Sequence, residues 1–304
     1  MSTCKFCGSS QLVPFSAQER MFGLGTEFTY SECQQCYSLQ LVDIPQDLAK
    51  YYSGEYYSFT GLTFSTALKN IFKKLRMKGF LALGWKVFQP SYGSWLRKLN
   101  LSFSDRIADV GCGNGQLLYE LSVSGFKDLH GFDPFMEQTK QINSALKLWK
   151  KSIEEAEMKF DVIMMHHSFE HMEDPTLILE ACFEKLNPGG KLLVRTPVSD
   201  AAVWKSDRTF WVQLDAPRHL IIPSTEGFRK VAHQIGFQLD ELVFDSDEFQ
   251  FWGTGLYKKG LPLDPSLVAK NITSEELKEF KEKALKLNQE GLGDQVCFYL
   301  TKPL

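Results

Sequence analysis

Asp109-Val110-Gly111-Cys112-Gly113-Asn114-Gly115 is the stretch whose reading decides the fold. It sits between an apolar run, Arg106-Ile107-Ala108, and a helical pattern, Gln116-Leu117-Leu118-Tyr119-Glu120-Leu121. The order is strand, glycine-rich turn, helix. Glycines permit a tight turn and let a ligand come close to the main chain. A dinucleotide fingerprint would carry its third glycine at position 116, where Gln116 stands. Nicotinamide and flavin binding are therefore the weaker readings.

Working outward, Leu129-His130-Gly131-Phe132-Asp133 reads as a second strand ending in a carboxylate. Asp133 follows the glycine turn at the interval that suits a ribose-diol acceptor in a βαβ unit. Phe160-Asp161-Val162-Ile163-Met164-Met165 is a further buried strand, and Leu186-Asn187-Pro188-Gly189-Gly190-Lys191 leads into the next. These four motifs, in this order, resemble the class I S-adenosylmethionine-dependent methyltransferases. The resemblance runs over roughly residues 100 to 247 and again at the C-terminus.

The coarse pattern is strand 106–112, helix 115–122, strand 128–133, helix 136–145, strand 147–153 and strand 160–167. Helix 175–186, strand 191–197, helix 225–236, strand 238–245 and strand 295–301 follow. Alternation of this kind predicts an α/β fold with a mainly parallel sheet and right-handed crossovers. The resemblance implies a Rossmann-like, seven-stranded sheet with helices on both faces, its last strand antiparallel and inserted beside the sixth.

Ligands of such sheets bind at the carboxyl ends of the strands. That rule gathers Asp109, Gly111, Cys112, Gly113, Asp133, Pro134, Ser152, Ile153 and His167 around one crevice. The resemblance implies that the main chain at Gly111 and Gly113 faces the methionine part of the cofactor and that Asp109 organises the turn. It also implies that Asp133 accepts both ribose hydroxyls and that Ile153 walls the adenine. Phe135 either packs near the adenine or fills the start of the next helix.

The chain has 304 residues, 43% of them hydrophobic, and a formal net charge of −3. The length suggests a core domain with additions. The charge does not indicate a nucleic-acid binder, and no specific nucleic acid is expected as a partner. No stretch approaches the ~18 apolar residues of a membrane span. The N-terminus lacks an apolar signal core, so the expected location is cytoplasmic, with reduced thiols.

Seven cysteines are present, and four form two pairs: Cys4-x-x-Cys7 and Cys33-x-x-Cys36. Two such knuckles can close a tetrahedron of thiolates around zinc, with no open position and hence a structural role. Residues 1–45 are read as a zinc ribbon, 46–100 as a tyrosine-rich linker and basic helical cap, and 101–304 as the catalytic domain. Acceptor-side insertions are expected near 199–222 and 248–294. Cys112, Cys182 and Cys297 read as packing residues. Ribbon and core together resemble bacterial methyltransferases of sugar and surface-polysaccharide pathways, as does the stretch Tyr51-Tyr52-Ser53-Gly54-Glu55-Tyr56-Tyr57-Ser58-Phe59.

From Tyr56 through Ser104 there is no Asp or Glu, while Lys69, Lys73, Lys74, Arg76, Lys78, Lys86, Arg97 and Lys98 are present. Leu68, Ile71, Phe72, Leu75 and Gly79 recur at helical spacing. Residues 69–98 are either a helical cap with a solvated basic face or a surface for an anionic membrane or phosphate groups. The second alternative would make the protein peripheral to the inner face of the membrane.

His219, in Leu214-Asp215-Ala216-Pro217-Arg218-His219-Leu220, is the leading general-base candidate. His167, at a strand end, and His171, in Glu170-His171-Met172-Glu173-Asp174-Pro175, are the other catalytic candidates, with His171 favoured as an orienting residue. The overall reading is a methyltransferase using S-adenosylmethionine, with structural zinc and a small-molecule or carrier-linked acceptor, foremost a sugar. Two alternatives stay open: an O-methyltransferase of a quinone or lipid-like phenol, and a non-catalytic cofactor-binding scaffold.

Overall fold

The computed structural model describes residues 3–52, 61–84 and 86–304. Residues 53–59 of the tyrosine-rich stretch, and Trp85, lie outside the described residues. The chain begins with an antiparallel sheet of β1 (Leu12–Gln18), β2 (Glu27–Cys33) and β3 (Leu39–Leu41). Helices α1 (Ala67–Leu83) and α2 (Gly93–Lys98) lead to the core.

There, β4 (Arg106–Val110) runs through the glycine turn into α3 (Gln116–Ser124). Next come β5 (Asp128–Phe132), β6 (Lys140–Asn143), β7 (Leu146–Trp149) and β8 (Phe160–His166). They are followed by α4 (Pro175–Lys185), β9 (Leu186–Pro197), α5 (Ala202–Asp207) and β10 (Ile221–Ile222). The chain closes with α6 (Thr225–Ile235), β11 (Gln238–Phe244), α7 (Phe249–Lys258), α8 (Val268–Asn271), α9 (Ser274–Gln289) and β12 (Gln295–Thr301).

The main sheet has the order β11-β12-β9-β8-β4-β5-β7-β6. All seven expected strands are present, and β12 lies between β11 and β9, antiparallel to both. The pairs β9–β8, β8–β4, β4–β5 and β5–β7 are parallel. The central strands carry buried apolar runs, Ile107-Ala108 in β4, residues 162–165 in β8 and residues 192–194 in β9, as expected where helices cover both faces of a parallel sheet. Local signals set the helix ends. Asp174 accepts hydrogen bonds from the Thr176 and Leu177 amides, with Pro175 in the first turn of α4. Ser224 caps α6 by accepting from the Gly227 amide.

One element differs from expectation. The helix expected over 136–145 is absent; residues 140–143 form β6, an eighth strand paired antiparallel with β7. The Asn143 side chain accepts from the Ala145 amide (2.8 Å), and the Gln141 side-chain amide donates to the Leu146 carbonyl (3.1 Å). Side-chain to main-chain bonds of this kind favour a turn over a helix. Leu146 and Leu148 then alternate inward as a strand requires.

The N-terminal sheet is not confined to the N-terminus. β10 supplies its fourth strand, pairing with β3 through Ile221 opposite Gln40 and Ile222 opposite Leu39. Cys4, Phe6, Cys33 and Cys36 pack in the same apolar core as Phe169, Phe228 and Ile178. Helix α1 packs on α3 with Met77 and Phe80 buried. Its recurrent apolar stripe faces outward instead: Leu68, Ile71, Phe72 and Leu75 are all more than half exposed.

Arg218 ties the segment before β10 to the N-terminal sheet and to the chain before α1. Its side chain is fully buried and donates to both Asp215 carboxylate oxygens (2.9 and 2.6 Å), to Glu19 Oε1 (3.0 Å) and to the Tyr51 carbonyl (3.0 Å). Glu19 also accepts from the Phe22 and Leu24 amides. Removing one partner of a buried ion pair strands the others without compensation. Arg218→Met should therefore lower unfolding free energy by about 3–5 kcal/mol, read from urea denaturation. A midpoint equal to wild type would show that the network does not hold the segment before β10 to the N-terminal sheet.

Candidate active site

The glycine turn makes a cradle at the carboxyl ends of β4 and β5. Gly111 has φ +71°, and a Cβ there would lie 2.4 Å from Ser168 Cβ, so both backbone and space require glycine. Ser168 Oγ donates to the Val110 carbonyl (2.6 Å), which ties the end of β8 to the turn. The Gly113 amide donates to Asp133 Oδ2 (3.0 Å) and the Phe135 amide to Asp133 Oδ1 (2.9 Å). Each carboxylate oxygen keeps further acceptor capacity. Phe135 projects beside it, 86% exposed, and starts no helix. Pro134 is exposed and Cys112 half-buried.

Two cofactor candidates sit differently from expectation. Asp109 is buried and makes no side-chain hydrogen bond among the described residues, so it does not fasten the turn. Burial, with the Asp133 charge adding to it, pushes the Asp109 carboxyl up to about 7. Ser152 and Glu155 form a capping box on a short 3-10 helix, and Ile153 within that helix is fully buried in the core. Ile153 thus packs in the apolar core with Phe132 and Phe160 and is not presented to solvent.

The three histidine candidates converge on one residue not assigned from sequence, Glu170. Its side chain is fully buried. Thr196 Oγ1 donates to Glu170 Oε2 (2.9 Å). Arg195 donates to His167 Nε2 (2.5 Å), which leaves His167 Nδ1 to donate to Glu170 Oε1 (3.3 Å). His167 takes φ +52°, a sharp turn that its amide supports by donating to the Arg195 carbonyl. Nδ1 of His171 donates to the Arg218 carbonyl (2.8 Å), and Nδ1 of His219 donates to the Gln213 carbonyl (2.7 Å). The His171 and His219 rings meet edge to face at 5.0 Å.

Burial lowers His219 to about 4, against the pull of Asp215. Glu170 is held down to about 2: burial alone would raise it, but the His167 hydrogen bond and neighbouring imidazoles outweigh that. His166 packs on Trp95 (4.4 Å between ring centroids), and burial lowers it to about 3. His130 bonds Asp128 (2.7 Å) and accepts from the Trp149 indole (3.1 Å).

The paired cysteines also come together. Cys4 Sγ lies 3.5 Å from Cys36 Sγ, and Cys7 Sγ 3.5 Å from Cys33 Sγ, with all four sulfurs within 4.8 Å of one another. These separations exceed a disulfide bond and approach those of four sulfurs bound at about 2.3 Å to one ion. Among the described residues, no helix is long and apolar enough to cross a membrane.

Residues 85–242 match the family described as Methyltransferase domain. The chain belongs to that family. It is 31% identical over 105 residues to the ubiquinone biosynthesis O-methyltransferase of Xylella fastidiosa, covering 30% of this chain and 41% of that protein. It is 32% identical over 159 residues to the tRNA U34 carboxymethyltransferase of Helicobacter acinonychis, covering 47% and 60%. The chain thus matches less than two thirds of these relatives' own length. The cyclopropane synthase MmaA2 of Mycobacterium tuberculosis aligns at 18% identity and TM-score 0.45, covering 68% of this chain and 81% of that one.

The Asp109 carboxyl gives this crevice a pH signature. Below about 7 it is protonated and neutral, and above that it is charged. A bound ammonium or sulfonium group favours the charged form. Affinity for S-adenosylmethionine, measured by calorimetry, should therefore rise between pH 6 and 8 and level off above. Asp109→Asn should flatten the profile. A wild-type profile already flat across that range would remove Asp109 from the site.

Proposed function

We propose that this chain is an S-adenosylmethionine-dependent methyltransferase acting on a hydroxylated small-molecule or carrier-linked acceptor, foremost a sugar of a surface-glycan or secondary-metabolite pathway. One observation supports this above the rest. The short segment 167–171 touches the glycine cradle through Ser168 and the buried polar cluster through Glu170. Cofactor and acceptor sides are therefore adjacent.

In this reading Asp133 holds the ribose, and the main chain at Gly111 and Gly113 lies along the methionine part. Phe135 offers a ring to the adenine. S-adenosylmethionine supplies an electrophilic methyl group at a sulfonium. The chain's own residues hold the acceptor in line and polarise its hydroxyl, the work that dominates such displacements. Glu170, His171 and His219 form that polar floor. The four cysteine thiolates hold a structural zinc ion.

A second reading, a quinone or lipid-like phenol as acceptor, draws on the outward apolar stripe of α1. Lys69, Lys74 and Lys78 are exposed on the same helix, whereas Lys73 is paired with Glu120 at 2.7 Å. This surface suits peripheral contact with an anionic membrane.

A radiolabelled methyl-transfer screen over nucleotide sugars, glycolipids and quinones separates the readings. Label is expected on the sugars. Label on quinones alone would favour the second reading, and cofactor binding without transfer would leave a scaffold. His219→Ala should lower turnover by about 10²–10⁴-fold, the scale of proton-transfer catalysis, with cofactor affinity unchanged. A variant with normal turnover would leave positioning alone as the source of rate.

Neutralising Lys69, Lys74 and Lys78 should weaken binding to phosphatidylserine vesicles, and added salt should do the same to wild type, since exposed charge is screened over about 8 Å at physiological ionic strength. Equal vesicle binding by mutant and wild type would identify a solvated face.

A further inference from the structure

Two imidazoles and a carboxylate face one another beside the cradle, the carboxylate accepting on its far side from His167 and Thr196. The Gln213 carbonyl takes the proton of His219 Nδ1, so Nε2 carries a lone pair. That Nε2 lies 4.0 Å from Glu170 Oε1 and 3.9 Å from Asp215 Oδ2. His171 Nδ1 donates to the Arg218 carbonyl (2.8 Å), with the Tyr52 hydroxyl 3.2 Å away donating to that same carbonyl, and in this tautomer Nε2 carries the lone pair. Glu170, His171 and His219 each place one ligand-type atom within 4.8 Å of the others.

Of the described carboxylates around them, Glu170 is the one without a guanidinium in contact. Glu19, Glu170, Asp215 and Asp245 meet two guanidinium groups, Arg195 and Arg218, through direct contacts or through His167. Asp245 is taken up by Arg195, and Glu19 and Asp215 share Arg218. Glu170 itself meets no guanidinium directly among the described residues; its oxygens accept from Thr196 and His167, so its buried charge is the one that a bound cation would compensate.

We infer that Glu170, His171 and His219 form a second metal site, separate from the four-cysteine cluster, that takes a divalent transition ion through two imidazoles and one carboxylate. Two neutral imidazoles with a carboxylate select zinc, iron, cobalt or manganese over magnesium or calcium. Such ions bind N and O ligands at about 2.1 Å, so neighbouring ligand atoms lie roughly 3.4 Å apart. The present spacing closes to that by about 1 Å. The carbonyls on Nδ1 are the outer partners that fix ring orientation in histidine metal sites. Three protein ligands leave coordination positions open, as in catalytic sites. An ion there would bind the acceptor oxygen. That role rests on the methyltransferase reading, whereas the binding of the ion does not.

Titration of the whole, metal-free protein with cobalt(II) under reducing conditions tests the site without any turnover. The first ion should enter the four-cysteine cluster and give an intense thiolate charge-transfer band. A second should add weak visible absorption without raising that band. Glu170→Gln and His171→Gln should each lose only the second ion, and Cys33→Ser only the first. The charge-transfer band serves as the check that a variant is folded.

Saturation of wild type at one cobalt ion per chain, with the thiolate band complete, would overturn the site. A second ion retained by both Glu170→Gln and His171→Gln would equally overturn it, placing the ion elsewhere. Two ions bound with no methyl transfer to any acceptor would defeat the methyltransferase reading and leave the metal site standing.

Discussion

A single guanidinium, that of Arg218, sets where the acceptor side of this molecule can be. It is out of contact with water and bonded to three parts of the chain: Glu19 after β1, the Tyr51 carbonyl before α1, and Asp215 in its own segment. His219 is the next residue, and its carbonyl accepts from the Tyr30 hydroxyl of β2 (2.8 Å). The His171 ring reads the same segment through the Arg218 carbonyl. Buried ion pairs add little net stability over apolar residues of equal volume. Here the pairing specifies one geometry, because a guanidinium fork accepts few arrangements of carboxylates.

The two sides of the crevice are built by opposite means. The cofactor side is local: a strand, a glycine turn whose shape Gly111 requires, and Asp133 bonded to amides of the turn and of its own neighbour. The acceptor side is assembled from distance. Glu170 comes from the end of β8, Thr196 from β9, His219 from the stretch before β10, and the support from the N-terminal sheet. Local sites tolerate change elsewhere in the molecule, whereas assembled ones depend on every contributor.

This difference explains what could be read from the sequence. The Asp109–Gly115 turn and the strand ending at Asp133 are written in consecutive residues, and so are the paired cysteines. Their places follow from pattern alone. Glu170 was visible beside His171 but carried no mark of its role, because its partners are brought to it by the fold. The helix expected over 136–145 failed on short-range chemistry: Asn143 and Gln141 bond the main chain and turn it into β6. In α1 the helical spacing was right, but spacing does not say which apolar stripe faces the core. Met77 and Phe80 pack inward while Leu68, Ile71, Phe72 and Leu75 remain outside.

The pairing of β10 with β3 has a consequence for how the chain comes to be folded. Strands β1, β2 and β3 can close as a local meander as soon as they are made. Their fourth strand and the partner of Glu19 arrive far later; Glu19 and Arg218 stand 199 residues apart. Contacts of such separation form late, since the closure of a long loop must precede them. Until then, the β3 edge is an unpaired strand on a nascent chain, open to pairing with another copy. Crowding of unfinished chains should therefore be the condition under which this protein misassembles.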